Sequence, residues 1–145
     1  MHAPNNSIER TTNQHSPGMT MSQDNLSIFG ELIASKLRDP AMDRFENLRK
    51  GNHKAPALQD LQSRLRGLDP ETREIARRCV VSAVDSAIHD FLFSLQERGF
   101  KNRPIAVLVD GENIADSSDG LHGEIFGKDG WFAKFSAYGE SPDVA

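Results

Sequence analysis

The chain has 145 residues, of which 37% are hydrophobic and 26% are charged, and its net charge is −4. This length predicts one domain, the negative charge argues against a nucleic-acid partner, and the single cysteine, Cys79, excludes an intrachain disulfide and suits a reducing compartment. No apolar run is long enough to span a membrane and the N-terminus lacks a signal-peptide core, so we expect a cytoplasmic protein.

The N-terminal residues 1–23 are predicted to form a disordered tail, because they contain almost no aliphatic side chains for a core. Met19 and Met21 are candidates for the start of the chain, beside Met1. A single α+β domain is predicted over residues 24–140, followed by a loose C-terminus over residues 141–145. Charge divides the domain, since residues 36–104 hold 14 Lys and Arg against 10 Asp and Glu, whereas residues 105–145 hold 2 against 8. This division predicts mutual attraction of the halves or a partner of complementary charge.

Three shorter helices are predicted before a long one. Apolar residues at helical spacing predict a helix over residues 24–38, which Asp39-Pro40 ends while starting a second helix that stops at Gly51. A third helix begins at Pro56 and turns four leucines inward, namely Leu58, Leu61, Leu65 and Leu68.

The fourth helix is predicted to run from the Asp69-Pro70 start signal to about residue 98. It carries two neighbouring apolar stripes, one made of Val80, Val84, Ile88 and Leu92, the other of Ile75, Cys79, Ala83, Ala87, Phe91 and Leu95. So wide an apolar surface predicts a central helix packed on two sides, with part of it facing a second subunit in a homodimer. Cys79 would then be a buried, inert thiol. Asp85 and His89, four residues apart, are predicted to pair.

A small antiparallel sheet of about three strands is predicted after residue 104, where the hydrophobic pattern changes. Residues 105–109 form a continuous apolar run that is typical of a buried strand. Residues 121–126 and 131–136 are predicted as two further strands, joined by a glycine-containing turn over residues 127–130.

The segment Val107-Leu-Val-Asp-Gly-Glu-Asn-Ile114 resembles the first strand of NYN/PIN-like metal-dependent ribonucleases. That resemblance implies a divalent-metal hydrolase with Asp110 as a metal ligand and Asn113 as a supporting polar contact. The alternative is a strand followed by an Asp-Gly turn, with both residues bonding local backbone. Only about 35 residues follow, and they contain no predicted helix to connect parallel strands, which favours the turn.

Polar residues of the C-terminal part are predicted to form an acidic binding surface for a protein partner of basic character. Its members are Asp110, Glu112, Asn113, Asp116, Asp119, His122, Glu124 and Trp131. The spacing of Asp116, Asp119, His122 and Glu124 matches no metal or catalytic signature and is also typical of a solvated loop and sheet face. No cofactor and no catalytic residue are therefore predicted.

The run from Ser118 to Glu140, SDGLHGEIFGKDGWFAKFSAYGE, resembles small bacterial proteins of unknown function. Small acidic proteins of that kind often serve as immunity or regulatory partners. The sequence therefore predicts a non-enzymatic interaction protein, with the metal-dependent hydrolase as the alternative. Several of the carboxylates would meet in a cleft if the chain were the hydrolase, and would be spread over a convex face if it were a binding module.

Overall fold

The computed structural model describes residues 20–142 and has the predicted α+β architecture, with helices first and small antiparallel hairpins after them. The helical elements in order are α1 (Met21–Leu32), a π-helical segment (Ile33–Arg38), α2 (Asp39–Lys50), α3 (Pro56–Gly67) and α4 (Pro70–Gln96). Among the described residues, none of the helices combines the length and the apolar character that crossing a membrane requires.

The ends of the helices follow from their capping residues. Asp69 accepts hydrogen bonds from the hydroxyl and the backbone N–H of Thr72 at the start of α4, which lowers the pKa of its carboxyl. Gly51 ends α2 with φ at 80°, a left-handed conformation that glycine adopts without strain. The predicted start of α1 at residue 24 is wrong, because Thr20 caps the helix and residues 21–23 already belong to it. The rest of the predicted tail, residues 1–19, lies outside the described residues.

The predicted helix break at Asp39-Pro40 is wrong, because the backbone stays helical through both residues. Immediately before Pro40 the helix widens into the π-helical segment, in which the Asp39 N–H donates to the carbonyl of Ala34, five residues earlier. In a regular α-helix the proline ring would clash with the carbonyl four residues before it. The wider turn changes the position of that carbonyl, so Pro40 lies inside a continuous helical stretch.

The β-structure of the described residues is limited to two short antiparallel hairpins. The first pairs β1 (Gly99–Phe100) with β2 (Arg103–Pro104), and the second pairs β3 (Leu108–Val109) with β4 (Glu112–Asn113). The predicted buried strand over residues 105–109 is thus reduced to β3, where Leu108 is exposed.

The two strands predicted at residues 121–126 and 131–136 are wrong. A 3₁₀ turn (Leu121–Gly123) and the short helix α5 (Trp131–Phe135) occupy these positions. Trp131 and Phe132 are neighbours and both are buried, which a helical turn allows but a strand with alternating faces does not.

The hydrophobic residues pack into two clusters. The larger lies between α1, α4, the C-terminal 3₁₀ turns and α5, and includes Phe29, Leu92, Ile125 and Phe132. The smaller is formed by Phe45, Leu48 and Leu65, between α2 and α3, with Leu58 and Leu68 at its edge. Of the predicted leucine seam, Leu61 is exposed and the neighbouring Gln62 is buried instead, where its side chain bonds the backbone of His53.

A buried ion pair connects the π-helical segment to α4. The Arg38 guanidinium donates to both carboxylate oxygens of Asp85, at 2.7 and 3.1 Å. Arg38 also lies 4.0 Å from the centre of the Phe132 ring and donates to the Ser136 hydroxyl and the Gly139 carbonyl. The predicted Asp85–His89 pair is therefore not formed.

Candidate functional site

Asp110 lies at the exposed tip of the second hairpin. Asp110 and Gly111 have φ values of 48° and 81°, and they connect the last residue of β3 to the first residue of β4. Two consecutive left-handed residues between paired strands are typical of a type I′ turn, for which Asp-Gly is a preferred sequence. The structure thus agrees with the turn interpretation of this segment.

The residues that follow Asp110 bond the chain itself. The Asn113 side-chain oxygen accepts the Ala115 N–H at 3.1 Å and so caps the 3₁₀ turn Ile114–Asp116. Glu112 accepts a hydrogen bond at 3.1 Å from Asn25, a residue of α1 that is 3% exposed. Asn25 also donates to the carbonyl of Val109, so it attaches the hairpin to α1. Asn25 was not predicted as important, because an isolated asparagine gives no sequence signal.

The remaining carboxylates of the predicted surface lie apart along the loop after β4. Asp116 forms an exposed ion pair with Arg98, and Asp119 is exposed. Glu124 accepts the Ser118 hydroxyl at 2.6 Å, inside its own loop. Within residues 20–142 no three His, Cys, Asp or Glu side chains come together in a way that could hold a metal ion. The carboxylates are therefore distributed over turns and loops and do not meet in a cleft.

Gln96, at the end of α4, fixes this loop in place and was not predicted. Its amide N–H groups donate to the carbonyls of Ala115 and Ser118, and its carbonyl accepts the Leu121 N–H at 3.0 Å. One side chain thus satisfies three backbone groups, which gives the loop a defined position on α4.

His122 belongs to an aromatic cluster on α4. Its ring centre lies 5.2 Å from the ring centres of both His89 and Phe93, and it is half-buried. Its Nδ1 atom is buried without a hydrogen-bond partner in the described part of the chain. His89 Nδ1 lies 3.0 Å from the Asp90 carboxylate. The ring contacts of His122 with His89 and Phe93 attach the C-terminal loop to α4, and they leave His122 only partly available to a partner.

Trp131 has to be removed from the predicted binding surface. It is 4% exposed and packs edge-to-face on Phe29, with ring centres 5.8 Å apart. A tryptophan in the core cannot contact a partner without unfolding of α5.

The exposed side of α4 carries an apolar stripe that was predicted from the sequence. The stripe was expected to pack against the rest of the chain or against a second subunit. The stripe of Ile75, Cys79, Ala83, Ala87 and Phe91 is exposed, whereas Leu95 of the same stripe is buried. Cys79 is consequently not a buried thiol. We call this exposed stripe, together with Ser82 and Ser86, the α4 face.

Two shallow grooves lie beside residues of the α4 face. Among residues 20–142, the first groove is lined by residues of α4, including Ile75, Cys79 and Ala83. The other is lined almost wholly by apolar atoms and lies between α4 and the preceding helices, where Leu37 and Ala41 meet residues of α4, among them Ala87 and Phe91. The α4 face therefore exposes Ile75 and Phe91, and Leu37 of the π-helical segment adjoins Phe91.

Comparison of the chain with protein-family models, with curated proteins and with solved structures finds no match.

Proposed function

We propose that this protein acts by binding other proteins and not by catalysis. The observation that supports this most directly is the α4 face, on which Ile75 and Phe91 are 55% and 49% exposed. Contiguous exposed apolar surface is typical of interaction sites in proteins that fold in water. The carboxylates of the C-terminal part agree with the same proposal, because Asp110, Glu112, Asp116 and Asp119 are exposed in the second hairpin and in the loop after it.

A second contact is proposed at the acidic surface, which we now restrict to Asp110, Glu112, Asp116 and Asp119. These residues are exposed, and they belong to the segment with two basic and eight acidic residues. Such a surface attracts a partner of basic character and speeds its association. A regulatory or immunity-like role in the cytoplasm would use both surfaces.

The proposal is tested by affinity capture with the tagged chain in extracts of the source cells. Asp110→Lys combined with Asp119→Lys reverses charge on the acidic surface, and Ala83→Glu places a charge on the α4 face. Asp60→Lys, at an exposed position of α3, is the matched control. We expect the control to capture the same proteins as the wild type and at least one of the other variants to lose them. Capture that none of the variants changes would contradict the proposal.

A metal titration tests the hydrolase alternative. Mg²⁺, Mn²⁺, Zn²⁺ or Ca²⁺ bound to the folded chain would raise its melting temperature by mass action. We expect no increase, because Asp110 lies on an exposed turn and, within residues 20–142, belongs to no group of three His, Cys, Asp or Glu side chains that could hold a metal ion. An increase of several degrees that Asp110→Asn abolishes would refute the non-catalytic proposal.

A further inference from the structure

The first hairpin, made of β1 and β2, is exposed along its whole length. Every residue from 97 to 106 is exposed, and within residues 20–142 the two strands pair only with each other. Phe100, in β1, is 64% exposed, and Ile105, just after β2, is 45% exposed. The hairpin therefore adds little to the core, and its side chains are available for contacts outside the chain.

Two cations lie beside the Phe100 ring at the tip of this hairpin. Phe100 pairs with Arg103 across the turn, which places both side chains on the same face of the hairpin. The Lys101 Nζ atom lies 5.4 Å from the centre of the Phe100 ring, in a cation–π contact. Neither Lys101 nor Arg103 has a carboxylate partner in the described part of the chain, whereas Arg98, at the base of the hairpin, pairs with Asp116. The tip thus presents an aromatic ring beside two positive charges that the chain does not neutralise.

The turn at the tip does not itself require a lysine. Lys101 and Asn102 have φ values of 51° and 60°, so both residues are left-handed, as in a type I′ turn. Asparagine adopts this conformation readily, but lysine is uncommon there, because its Cβ comes too close to the following carbonyl oxygen. Backbone strain of this kind is often found where a side chain has a function, and the feature that distinguishes lysine at position 101 is its charge.

We propose that the tip of the first hairpin binds the anionic surface of a lipid membrane. Phe100 enters the boundary between headgroups and acyl chains, while the long side chains of Lys101 and Arg103 keep their charges at the level of the lipid phosphates. The cytoplasmic leaflet of a membrane is anionic and attracts basic segments near its surface, so the charge of the tip is complementary to it. This inference goes beyond the proposed function, because the tip is separate from the α4 face and from the acidic surface.

The hairpin suits a membrane better than a single-stranded nucleic acid, which is the other common polyanion. Proteins that bind single strands use a basic groove that follows the backbone, together with several aromatic rings on which the bases stack. Residues 97–106 contain a single aromatic ring, and the base of the hairpin adjoins the Asp116 carboxylate through Arg98. A strand laid from the tip to the base would meet this negative charge, whereas a flat membrane touches the tip alone.

The contact is expected to be weak, reversible and sensitive to salt. Each basic residue close to an anionic membrane strengthens binding about five-fold, and partial burial of a phenylalanine strengthens it about five- to ten-fold. The net charge of −4 opposes the approach of the rest of the chain. Because salt screens exposed charges beyond about 8–10 Å, we expect binding in low salt and its loss in high salt.

Co-sedimentation with vesicles measures the binding. We expect the wild type to pellet with phosphatidylcholine vesicles that contain phosphatidylserine, and to stay in solution with vesicles of phosphatidylcholine alone. Lys101→Asn combined with Arg103→Gln removes both charges and retains a residue that suits the turn, so it should weaken binding about ten- to thirty-fold. The matched control, Lys54→Asn with Arg64→Gln, makes the same change of charge at exposed positions elsewhere and should bind within about two-fold of the wild type. A wild type that does not pellet with the anionic vesicles in low salt would overturn the proposal, as would an equal loss of binding in the two double variants.

The apolar part of the contact is measured in the same assay. Phe100→Ala should weaken binding about five- to ten-fold, whereas Phe91→Ala, at a half-exposed position of α4, should not. Because the substituted side chains are exposed, these variants should fold, which circular dichroism verifies. Equal binding of Phe100→Ala and the wild type would contradict the entry of Phe100 into the membrane.

Tryptophan fluorescence shows directly whether the tip enters the membrane. Phe100→Trp places an indole at the tip, while the natural Trp131 is buried in the core and gives a constant background. We expect the emission of this variant to shift to shorter wavelength when anionic vesicles are added. Emission that does not shift while the chain pellets with the vesicles would overturn the proposal.

Fluorescence anisotropy with a labelled oligothymidylate tests the other polyanion. We expect the wild type to bind this single strand more weakly than it binds the anionic vesicles. Binding to the oligonucleotide that Phe100→Ala weakens, without binding to the vesicles, would make a nucleic acid the ligand of the tip and would overturn the lipid proposal.

Discussion

Replacing Asp85 with alanine would leave the Arg38 guanidinium in the core without its carboxylate. Arg38 is 1% exposed and Asp85 is 3% exposed, and two N–H groups of Arg38 donate to the two carboxylate oxygens. Hydrogen bonds to charged groups contribute about 1.5–3 kcal/mol each, and breaking a buried ion pair by removing one partner costs about 3–5 kcal/mol. We expect Asp85→Ala to lower the free energy of unfolding by about 3–5 kcal/mol.

Urea denaturation followed by circular dichroism measures this loss, and a thermal scan should show a melting temperature lower by roughly 10–20 °C. The control is Asp60→Ala, which removes the same side chain from an ion pair with Arg64 in which both partners are 79% exposed. Exposed pairs contribute at most about 1 kcal/mol, so this control should change little. The reasoning is refuted if the two variants lose equal stability.

The double variant Arg38→Met/Asp85→Ala shows whether the loss comes from the unpaired charge. Methionine fills much of the volume of the arginine stem without a charge, and apolar replacements of buried ion pairs are often tolerated. We expect the double variant to be less destabilised than the sum of the single variants. Strict additivity would mean that Arg38 acts mainly through its other contacts.

Two further predictions concern a close contact in α1 and an unusual tyrosine. Alanine normally stabilises a helix relative to glycine, but a Cβ at Gly30 would lie 2.6 Å from the Trp131 ring. Gly30→Ala should therefore lower the free energy of unfolding, measured by chemical denaturation, by about 1–3 kcal/mol. The control is Gly123→Ala, whose Cβ meets nothing within 4 Å and which should not lower it. Partial desolvation of its hydroxyl and the hydrogen bond to the Asp43 carboxylate raise the pKa of Tyr138 to about 12. Because the folded state holds this proton more tightly, the stability it contributes below pH 10 should be lost between about pH 10 and 12. Tyr138 is the one tyrosine of the chain, so an ultraviolet titration measures its ionisation directly. Asp43→Asn should lower the pKa of Tyr138. A titration midpoint near 10 in the wild type would contradict the raised pKa.

The helices could be predicted from the sequence because their signals are local. Apolar residues at three- and four-residue spacing and the Asp69-Pro70 start are visible within a few positions of each element. The Pro40 break could not be predicted correctly, since proline usually ends a helix and only the π-helical segment before it reveals the exception. The apolar stripe of α4 was also visible, but a stripe alone does not tell whether the same chain covers it.

The C-terminal part was predicted less well because its conformation depends on distant residues. Trp131 and Phe132 face Phe29 and Arg38, about a hundred positions earlier, and no local pattern contains this information. The same limitation affected the candidate site. The Asp110-Gly111 turn was recognisable from two residues, whereas the burial of Trp131 follows from the docking of α5 on α1.

The contacts of Arg38 also bear on the order of events during synthesis. Asp85 follows Arg38 by 47 residues, but the Ser136 hydroxyl and the Gly139 carbonyl follow it by 98 and 101. A nascent chain can therefore neutralise the guanidinium charge long before it can satisfy the remaining N–H groups. Before residues 132–139 are synthesised, the Arg38 side chain remains accessible to water, whereas it is buried in the folded chain. Completion of the core therefore requires the synthesis of residues 132–139, and shortened chains that stop before Ser136 should be open and sensitive to proteases.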